Sequence, residues 1–360
     1  MKNKFSLFIS IFLILCLTIG LSSCKKNNKI KVDFMVDGEK YHTATTNGKG
    51  SVSLPDAPVK QGFTFDGWYL DENVWAQPFT ADSLTNSSAD GDLIVFAKWY
   101  RTPIESYYID GKYIYFGEYP QTLKANDVSI TPCTDSRGYY LGSDGYYYAK
   151  LTAKPNQSDY LFSTGEGIVK DTEYYFKVEP IRWRILSEND GKAMLICDSI
   201  IDVKCFDKKH SDYSASEIRS FLTYQFYEGA FTVFQRSLIT ATNVDNSVES
   251  TGYTNNGYCP DTKDTVFMLS YKEAKEVLGL KNYYTGKGLF GTSDYSRASG
   301  ANITTDEEHY GFGDWWLRSR CDKGDGWISY IPKNGTLTYY TYVYNTSVGV
   351  VPVLNIKLSK

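Results

Sequence analysis

Short alternating segments that flank glycine-containing turns constrain the fold of this 360-residue chain more than any other feature. Residues 181–186 and 193–196 flank Asn-Asp-Gly at 189–191, a sequence typical of a tight β-hairpin turn. Residues 327–331 and 337–344 flank Asn-Gly at 334–335, and an alternating segment near the start reaches Asp-Gly at 37–38. The sequence therefore predicts antiparallel, hairpin-connected strands in both halves of the chain.

Two serine-led capping boxes predict helices in the second half of the chain. Ser214 precedes Glu217 by three residues, and Ser270 precedes Glu273 by three. In this arrangement the serine hydroxyl accepts the glutamate amide while the carboxylate bonds back to the serine amide. Apolar residues follow both boxes at helical spacing, and Gly279 is expected to end the second helix. Helices among strands predict an α+β fold for this part.

The first 24 residues have the pattern of a secretion signal. Lys2 and Lys4 precede an apolar run over 5–20, which is shorter than a membrane-spanning helix requires. The sequence Leu-Ser-Ser-Cys that ends at Cys24 resembles the bacterial lipobox. We expect residues 1–23 to be a lipoprotein signal peptide and Cys24 to carry the lipid, the alternative being an ordinary thiol after a conventional signal. The mature protein would then be extracytoplasmic, at the cell surface, and anchored to the cell membrane or outer membrane by lipid alone.

The next part of the chain carries tryptophan motifs. A polar tether over 24–29 leads to a strand-rich unit over 30–100, with Gly-Phe-x-Phe-x-Gly-Trp-Tyr at 62–69 and Phe-Ala-Lys-Trp at 96–99. These motifs resemble the Listeria-Bacteroides repeat, also called the internalin B-repeat. The resemblance implies a small β-grasp-like module that acts as a spacer or interaction unit. We expect Trp68 and Trp99 to fill its core.

A linker over 101–112 precedes a larger domain over 113–360, which carries an ordered series of motifs. They are Tyr-Phe-Gly-x-Tyr-Pro-Gln at 115–121, Ile-x-Trp-x-Ile-Leu at 181–186, Ser-Glu-Ile-Arg-x-Phe-Leu at 216–222, Asp-x-Val-Phe-x-Leu-Ser at 264–270, Trp-Leu-Arg-Ser at 316–319 and Gly-Val-Val-Pro-Val-Leu at 349–354. The series resembles the domain-of-unknown-function 6273 family, although Arg320 and Val351 depart from the proline and arginine usual there. The tail is more distantly similar to the C-type-lectin-like fold, a likeness that concerns fold alone.

Composition narrows the class of partner. The chain has a net charge of −4 and becomes more acidic when the two signal lysines are removed, so we expect no nucleic-acid partner. It contains 31 tyrosines, which combine a large apolar ring with a hydrogen-bonding tip and suit contact surfaces. Sugars stack on such rings. The candidate ligand contacts are Tyr146, Tyr147, Tyr148, Tyr340, Tyr342 and Tyr344, although we expect at least one of the first three to pack within a strand.

Catalytic motifs are missing from the sequence. His42, His210 and His309 have no nucleophile motif beside them, and we expect no cofactor and no metal. The acidic residues at 306–308 and at 322 and 325 could supply oxygen ligands for calcium, but they lack the Asp-x-Asp-x-Asp-Gly spacing of a calcium-binding loop. Cys321 follows two arginines that would lower its thiol pKa, which makes it the best residue for an enzymatic alternative.

Two further features of the sequence concern the stability of the fold: the Trp316–Arg318 pair and the remaining cysteines. Alternation places Trp316 and Arg318 on one side of a strand, where the ring and the guanidinium can stack as a structural hub. After Cys16 and Cys24, five cysteines are left: Cys133, Cys197, Cys205, Cys259 and Cys321. We expect most to be buried free thiols, with one Cys197–Cys205 bridge as the alternative.

The sequence therefore predicts a non-enzymatic, lipid-anchored bacterial surface protein that binds or adheres to a glycan or protein ligand. The alternatives are an extracytoplasmic enzyme with an unrecognised site in the C-terminal domain and a structural envelope component.

Overall fold

The computed structural model describes residues 29–86, 89–252, 259–337 and 339–358, so the predicted signal peptide and Cys24 lie outside the described residues. Strands account for 41% of the residues and helices for 13%, which makes the architecture strand-rich and mostly β. A strand module is followed by a larger C-terminal domain. Within the described ranges, no helix is long and apolar enough to cross a membrane.

The N-terminal module is one five-stranded sheet built from β1 (Ile30–Val36), β2 (Glu39–Thr46), β3 (Phe63–Tyr69), β4 (Pro78–Phe79) and β5 (Leu93–Arg101). The strands lie in the order β2-β1-β5-β3-β4, and β5 runs parallel to β1. The hairpin predicted at 37–38 is confirmed, because β1 and β2 pair antiparallel around Asp37 and Gly38, both of which have positive φ. Trp68 and Trp99 are buried and fill the core of the module.

The C-terminal domain contains two main sheets and two small ribbons. Its strands are β6 (Tyr107–Asp110), β7 (Tyr113–Leu123), β8 (Ile130–Thr134), β9 (Tyr140–Gly142), β10 (Tyr147–Thr152), β11 (Glu173–Asn189), β12 (Lys192–Cys197), β13 (Ser199–Ile200), β14 (Asp202–Val203), β15 (Ile239–Thr240), β16 (Thr242–Val244), β17 (Thr262–Asp264), β18 (Val266–Phe267), β19 (Gly291–Thr292), β20 (Trp315–Arg320), β21 (Trp327–Ile331), β22 (Tyr339–Tyr342), β23 (Gly349–Val350) and β24 (Val353–Lys357). The larger sheet has ten strands, β6–β12, β15, β18 and β24. The second sheet has the order β14-β23-β20-β21-β22, and the ribbons are β13-β19 and β16-β17.

Both hairpins predicted in this domain occur, but their turns differ. β11 and β12 pair antiparallel and are joined by a tight turn at 190–191, as predicted. β21 and β22 also pair antiparallel, yet their connection covers 332–338 instead of two residues. The later strand is correspondingly shorter than the predicted segment 337–344. Gly335 has a φ of 71°, so the positive φ expected of a turn glycine occurs here within a longer loop.

The helices are short. They comprise a continuous helix over 217–230, formed by α1 (Glu217–Ser220), a π-helical segment (Phe221–Phe226) and α2 (Tyr227–Ala230), followed by α3 (Val233–Leu238), α4 (Val248–Thr251), α5 (Tyr271–Glu276) and α6 (Asp294–Ser299). Most of them span one or two turns, and the predicted α+β arrangement is not confirmed.

One of the two predicted helix caps is confirmed. Ser270 caps α5 as predicted, because its hydroxyl accepts the Glu273 amide and the Glu273 carboxylate accepts the Ser270 amide. The cap predicted at Ser214 is wrong: Ser216 caps α1 by accepting the Arg219 amide. Ser214 instead lies in a preceding 3₁₀ turn. α5 ends at residue 276, before the predicted stop at residue 279.

Burial differs sharply across the second sheet. On the central strand β20, Trp315 and Trp316 are fully buried. The Trp316 indole donates a hydrogen bond to the Lys204 carbonyl at 2.8 Å and packs against Phe206. The edge strand β22, in contrast, is exposed along nearly its whole length. The sheet therefore combines an anchored centre with an aromatic edge that is open to solvent.

Candidate functional site

Four aromatic rings at the open edge of the second sheet form a continuous surface, which we call the aromatic platform (Trp327, Tyr340, Tyr342 and Tyr344). Trp327 on β21 lies directly opposite Tyr342 on β22, two positions from Tyr340. Because opposed residues of antiparallel strands share a face, these rings project from the same side of the ribbon. Tyr344 extends the row just beyond β22.

The rings of the platform contact one another closely. The Trp327 and Tyr342 centroids are 3.8 Å apart, and those of Trp327 and Tyr340 are 5.6 Å apart. Tyr342 and Tyr344 stack nearly parallel, at 13° and 5.0 Å. Tyr340, Tyr342 and Tyr344 nevertheless keep 37%, 44% and 57% of their surface exposed. Mutual packing thus restrains the rings while leaving apolar surface in contact with water.

Polar groups border the platform. The Lys323 ammonium lies 5.2 Å from the Tyr340 ring, and a hydrogen bond to that tyrosine raises the pKa of Lys323. Beside Trp327 in the chain, the Asp325 carboxylate pairs with His210 Nδ1 at 2.6 Å. Its bonds to His210 and to the Ser211 amide hold the pKa of Asp325 well below its usual range. The Lys323 ammonium therefore lies against a platform ring, whereas the Asp325 carboxylate is already bonded to His210, Ser211 and the Gly326 amide.

The other three candidate tyrosines do not form a comparable surface. Tyr148 is fully buried and donates its hydroxyl to Asp144 at 2.7 Å, so its ring is unavailable to a ligand. Tyr147 is half-buried beneath the Arg137 guanidinium. Tyr146 packs edge-on against Phe63 of the N-terminal module, at 5.8 Å. Strand alternation hides Tyr148, and contact with the neighbouring module covers Tyr146.

Arg318 is the centre of a buried network, but it does not stack on Trp316 as predicted. Its guanidinium forms an ion pair with Glu273 and donates hydrogen bonds to the Met268 and Asp245 carbonyls. A register irregularity between residues 316 and 320 of β20 interrupts the simple alternation on which the stacking prediction relied. The nearest aromatic ring is that of Phe267, 6.0 Å from the guanidinium carbon.

The cysteines do not form the bridge considered from sequence. All five described cysteines are free: Cys133 is exposed, Cys205 is partly buried, and Cys197, Cys259 and Cys321 are buried. The Cys197 sulfur lies 3.9 Å from the Ser199 hydroxyl, and that of Cys205 lies near Glu217. Burial raises the pKa of Cys321, contrary to the expected lowering by its arginine neighbours. Its thiol is therefore poorly suited to act as a nucleophile.

The remaining candidates are dispersed. His42 is exposed on β2, and His309 bonds to the Tyr284 hydroxyl at 3.2 Å. In the part of the chain that the structure describes, no group of three or more His, Cys, Asp or Glu side chains is placed to hold a metal ion. The acidic residues considered for calcium at 306–308 and 322–325 therefore do not assemble into such a group.

A cleft of about 400 Å³ lies beside Tyr108, between the larger sheet and α6. Its polar side chains are largely bonded to one another. Glu179 accepts the Thr122 hydroxyl at 2.6 Å, and the buried Asp294 accepts the Ser163 hydroxyl at 2.7 Å. These bonds leave the carboxylates less available to a ligand than their number suggests.

Trp327 is a platform residue that sequence reasoning does not single out as a ligand contact. The sequence places it in a strand, but not as a partner of the tyrosines. The signal was present in the hairpin, because pairing the strands around the predicted turn brings Trp327 near Tyr342. The loop is longer than two residues, yet the observed register is the one that a turn centred on 334–335 gives.

Family models match both parts of the chain. One, described as the Listeria-Bacteroides repeat domain, matches residues 31–101. Another, described as a domain of unknown function (DUF6273), matches residues 190–358, so the motifs at 115–121 and 181–186 that resemble this family lie outside the match. No curated protein matches the chain. The chain therefore contains a Listeria-Bacteroides repeat domain followed by a domain of the DUF6273 family.

Proposed function

We propose that this chain is a lipid-anchored bacterial surface protein that binds a glycan through the aromatic platform. The observation that carries the proposal is the row of mutually packed, solvent-exposed rings at one sheet edge. The C–H bonds on one face of a pyranose ring form an apolar patch that packs on an aromatic face. The Lys323 ammonium beside Tyr340 can donate hydrogen bonds to the sugar hydroxyls.

The size of the platform favours a glycan over a protein ligand. The exposed fractions of its three tyrosines correspond to about 300 Å² if each side chain presents about 200 Å² in full. A stable protein interface covers about 800 Å² on each partner, more than twice this area. A short run of sugar rings fits the smaller surface.

The anchoring part of the proposal rests on the N-terminal sequence. Lipid attached at Cys24 would place both domains outside the cytoplasm, with the Listeria-Bacteroides repeat between the membrane and the platform-bearing domain. We also propose a β-grasp-like fold for the N-terminal module and a C-type-lectin-like α+β fold for the C-terminal domain. Parallel pairing of β1 with β5 supports a β-grasp-like module, and the tail motif with short helices among the sheets supports a C-type-lectin-like α+β domain.

A binding experiment tests the glycan proposal. The mature chain is screened on a glycan array, and the best ligand is titrated by calorimetry against the wild type and Tyr342→Ala. We expect the substitution to weaken binding about tenfold or more, because stacked aromatic contacts contribute roughly 1–3 kcal/mol each. Tyr224→Ala is the matched control, since Tyr224 is 65% exposed on the helix over 217–230. Equal affinities of all three proteins, or the absence of any glycan ligand, would overturn the proposal.

A second experiment tests the anchor. The full chain is produced in a bacterium fed labelled fatty acid, alongside Cys24→Ala and the control Cys133→Ala. We expect label on the wild type and the control and none on Cys24→Ala, which should keep its signal peptide because cleavage before Cys24 follows lipidation; normal processing and release of Cys24→Ala would contradict the assignment. Labelling that persists without Cys24 would contradict it as well.

A further inference from the structure

A second recess lies in the same DUF6273 domain, and we call it the Asp314 cleft. Its volume is about 370 Å³, within the range that accommodates small ligands. The residues used below are Tyr284, Asp306, Asp314, Tyr330 and Lys333, all of which line it. Tyr330 lies on β21 three positions after Trp327, so the two rings project from opposite faces of that strand.

Asp314 provides a fixed acceptor in the wall of the cleft. The residue is 7% exposed, and burial raises the pKa of its carboxyl group. One carboxylate oxygen accepts the Asn302 side-chain amide at 2.7 Å, and the other accepts the Lys333 backbone amide at 2.7 Å. Each oxygen can accept a further hydrogen bond. The two bonds orient the Asp314 carboxylate and leave both of its oxygens able to accept a hydrogen bond from a ligand.

Neighbouring groups complete a polar lining with an aromatic wall. Burial and the charge of Asp314 raise the pKa of Tyr330 to about 12, so its phenol remains a neutral donor at ordinary pH. The Lys333 ammonium is held by the Ile303 carbonyl at 2.9 Å. The Tyr284 ring, 55% exposed, stands at the rim beside His309. Donors, acceptors and an apolar ring face therefore surround one small volume.

The charges narrow the ligand class. Asp306 and Asp314 bring two carboxylates to the lining, against the single ammonium of Lys333. This balance disfavours phosphate and other anionic ligands, whereas oriented acceptors and neutral donors suit hydroxyl groups. A hexose ring offers several hydroxyls and an apolar C–H face for Tyr284.

We propose that the Asp314 cleft is a second ligand site that takes one neutral hexose-like ring, such as a terminal sugar of the bound glycan. This inference rests on the proposed function for the class of ligand. It adds a site on the opposite face of β21 from the platform.

The test uses free neutral monosaccharides, glucose, galactose, mannose and N-acetylglucosamine, titrated into the mature full chain by ligand-observed NMR. We expect at least one to bind, and Asp314→Asn and Tyr284→Ala each to weaken that binding about tenfold. Tyr283→Ala is the matched control, because Tyr283 is 64% exposed beside Tyr284 but does not line the cleft. Since Tyr284 is at the rim, its substitution tests the cleft even if Asp314→Asn fails to fold.

The platform variant Tyr342→Ala separates this inference from the proposed function. We expect it to bind the monosaccharide normally while losing affinity for the longer glycan. If no monosaccharide binds but the longer glycan does, the cleft proposal is overturned and the platform proposal stands. Monosaccharide binding that is insensitive to Tyr284→Ala, or stronger binding of glucuronate than of glucose, also overturns it. Failure of every glycan to bind overturns both proposals.

Discussion

Replacing Arg318 with methionine should cause a large loss of stability in the C-terminal domain. The residue is 2% exposed and bonds to Glu273 and to the Met268 and Asp245 carbonyls. Methionine preserves much of the volume but leaves these acceptors without their donor. Removing one partner of a buried ion pair typically costs about 3–5 kcal/mol. With a urea m-value of about 3 kcal/mol/M, the unfolding midpoint should fall by about 1–1.7 M.

Urea unfolding followed by tryptophan fluorescence measures this change, because Trp315 and Trp316 are buried on the same strand as Arg318. Arg182→Met is the matched control: the Arg182 side chain is 51% exposed in its ion pair with Asp198, so we expect a loss of about 1 kcal/mol or less. Similar midpoints for Arg318→Met and the control would refute the description of Arg318 as a structural centre.

Three further predictions concern other parts of the chain. In the folded protein at pH 8, the exposed Cys133 should react with a thiol reagent much faster than the buried Cys259. Burial raises the Cys259 pKa to about 11, which leaves about 0.1% of that residue as thiolate; equal rates by mass spectrometry would contradict this. Asp325→Asn should lower the melting temperature at pH 6, and the difference from the wild type should shrink as the pH falls below about 4. The Asp325 carboxyl has a lower pKa in the folded than in the unfolded protein, so its stabilising effect is lost as it becomes protonated; a pH-independent difference by circular dichroism would exclude that linkage. Gly117→Ala should reduce the unfolding free energy by about 2–4 kcal/mol, because φ is 72° and the added methyl group would lie 2.5 Å from the buried Phe231 ring. Gly111→Ala, whose methyl group would meet no neighbour, should cost less; equal urea midpoints for the two variants would argue against the steric explanation.

Local patterns predicted the strand pairings well. The turns at 37–38 and 190–191 form where Asp-Gly occurs, because these residues tolerate the positive φ that tight hairpins need. Ser270 caps α5 because its capping box depends only on residues three positions apart. The similar pattern at Ser214 failed because Ser216 offers the same hydroxyl two residues later, directly before the helix.

The candidate site was only partly predictable. Strand alternation places Tyr340 and Tyr342 on one face of the ribbon, but it does not say which face remains uncovered. That depends on what packs against the sheet, which is a long-range property. The same limitation affected Tyr148, whose environment is determined by its burial in the larger sheet. Charge proximity in sequence likewise misjudged the pKa of Cys321, because burial outweighs the adjacent arginines.

The most direct test of the central claim is an NMR titration of the tryptophan indole signals with the best glycan ligand. The chain has seven tryptophans, and a Trp327→Phe variant assigns the platform signal. We predict that the Trp327 indole signal shifts saturably with added glycan, while that of Trp75 in the N-terminal module does not. A glycan that binds without moving the Trp327 signal would contradict the account.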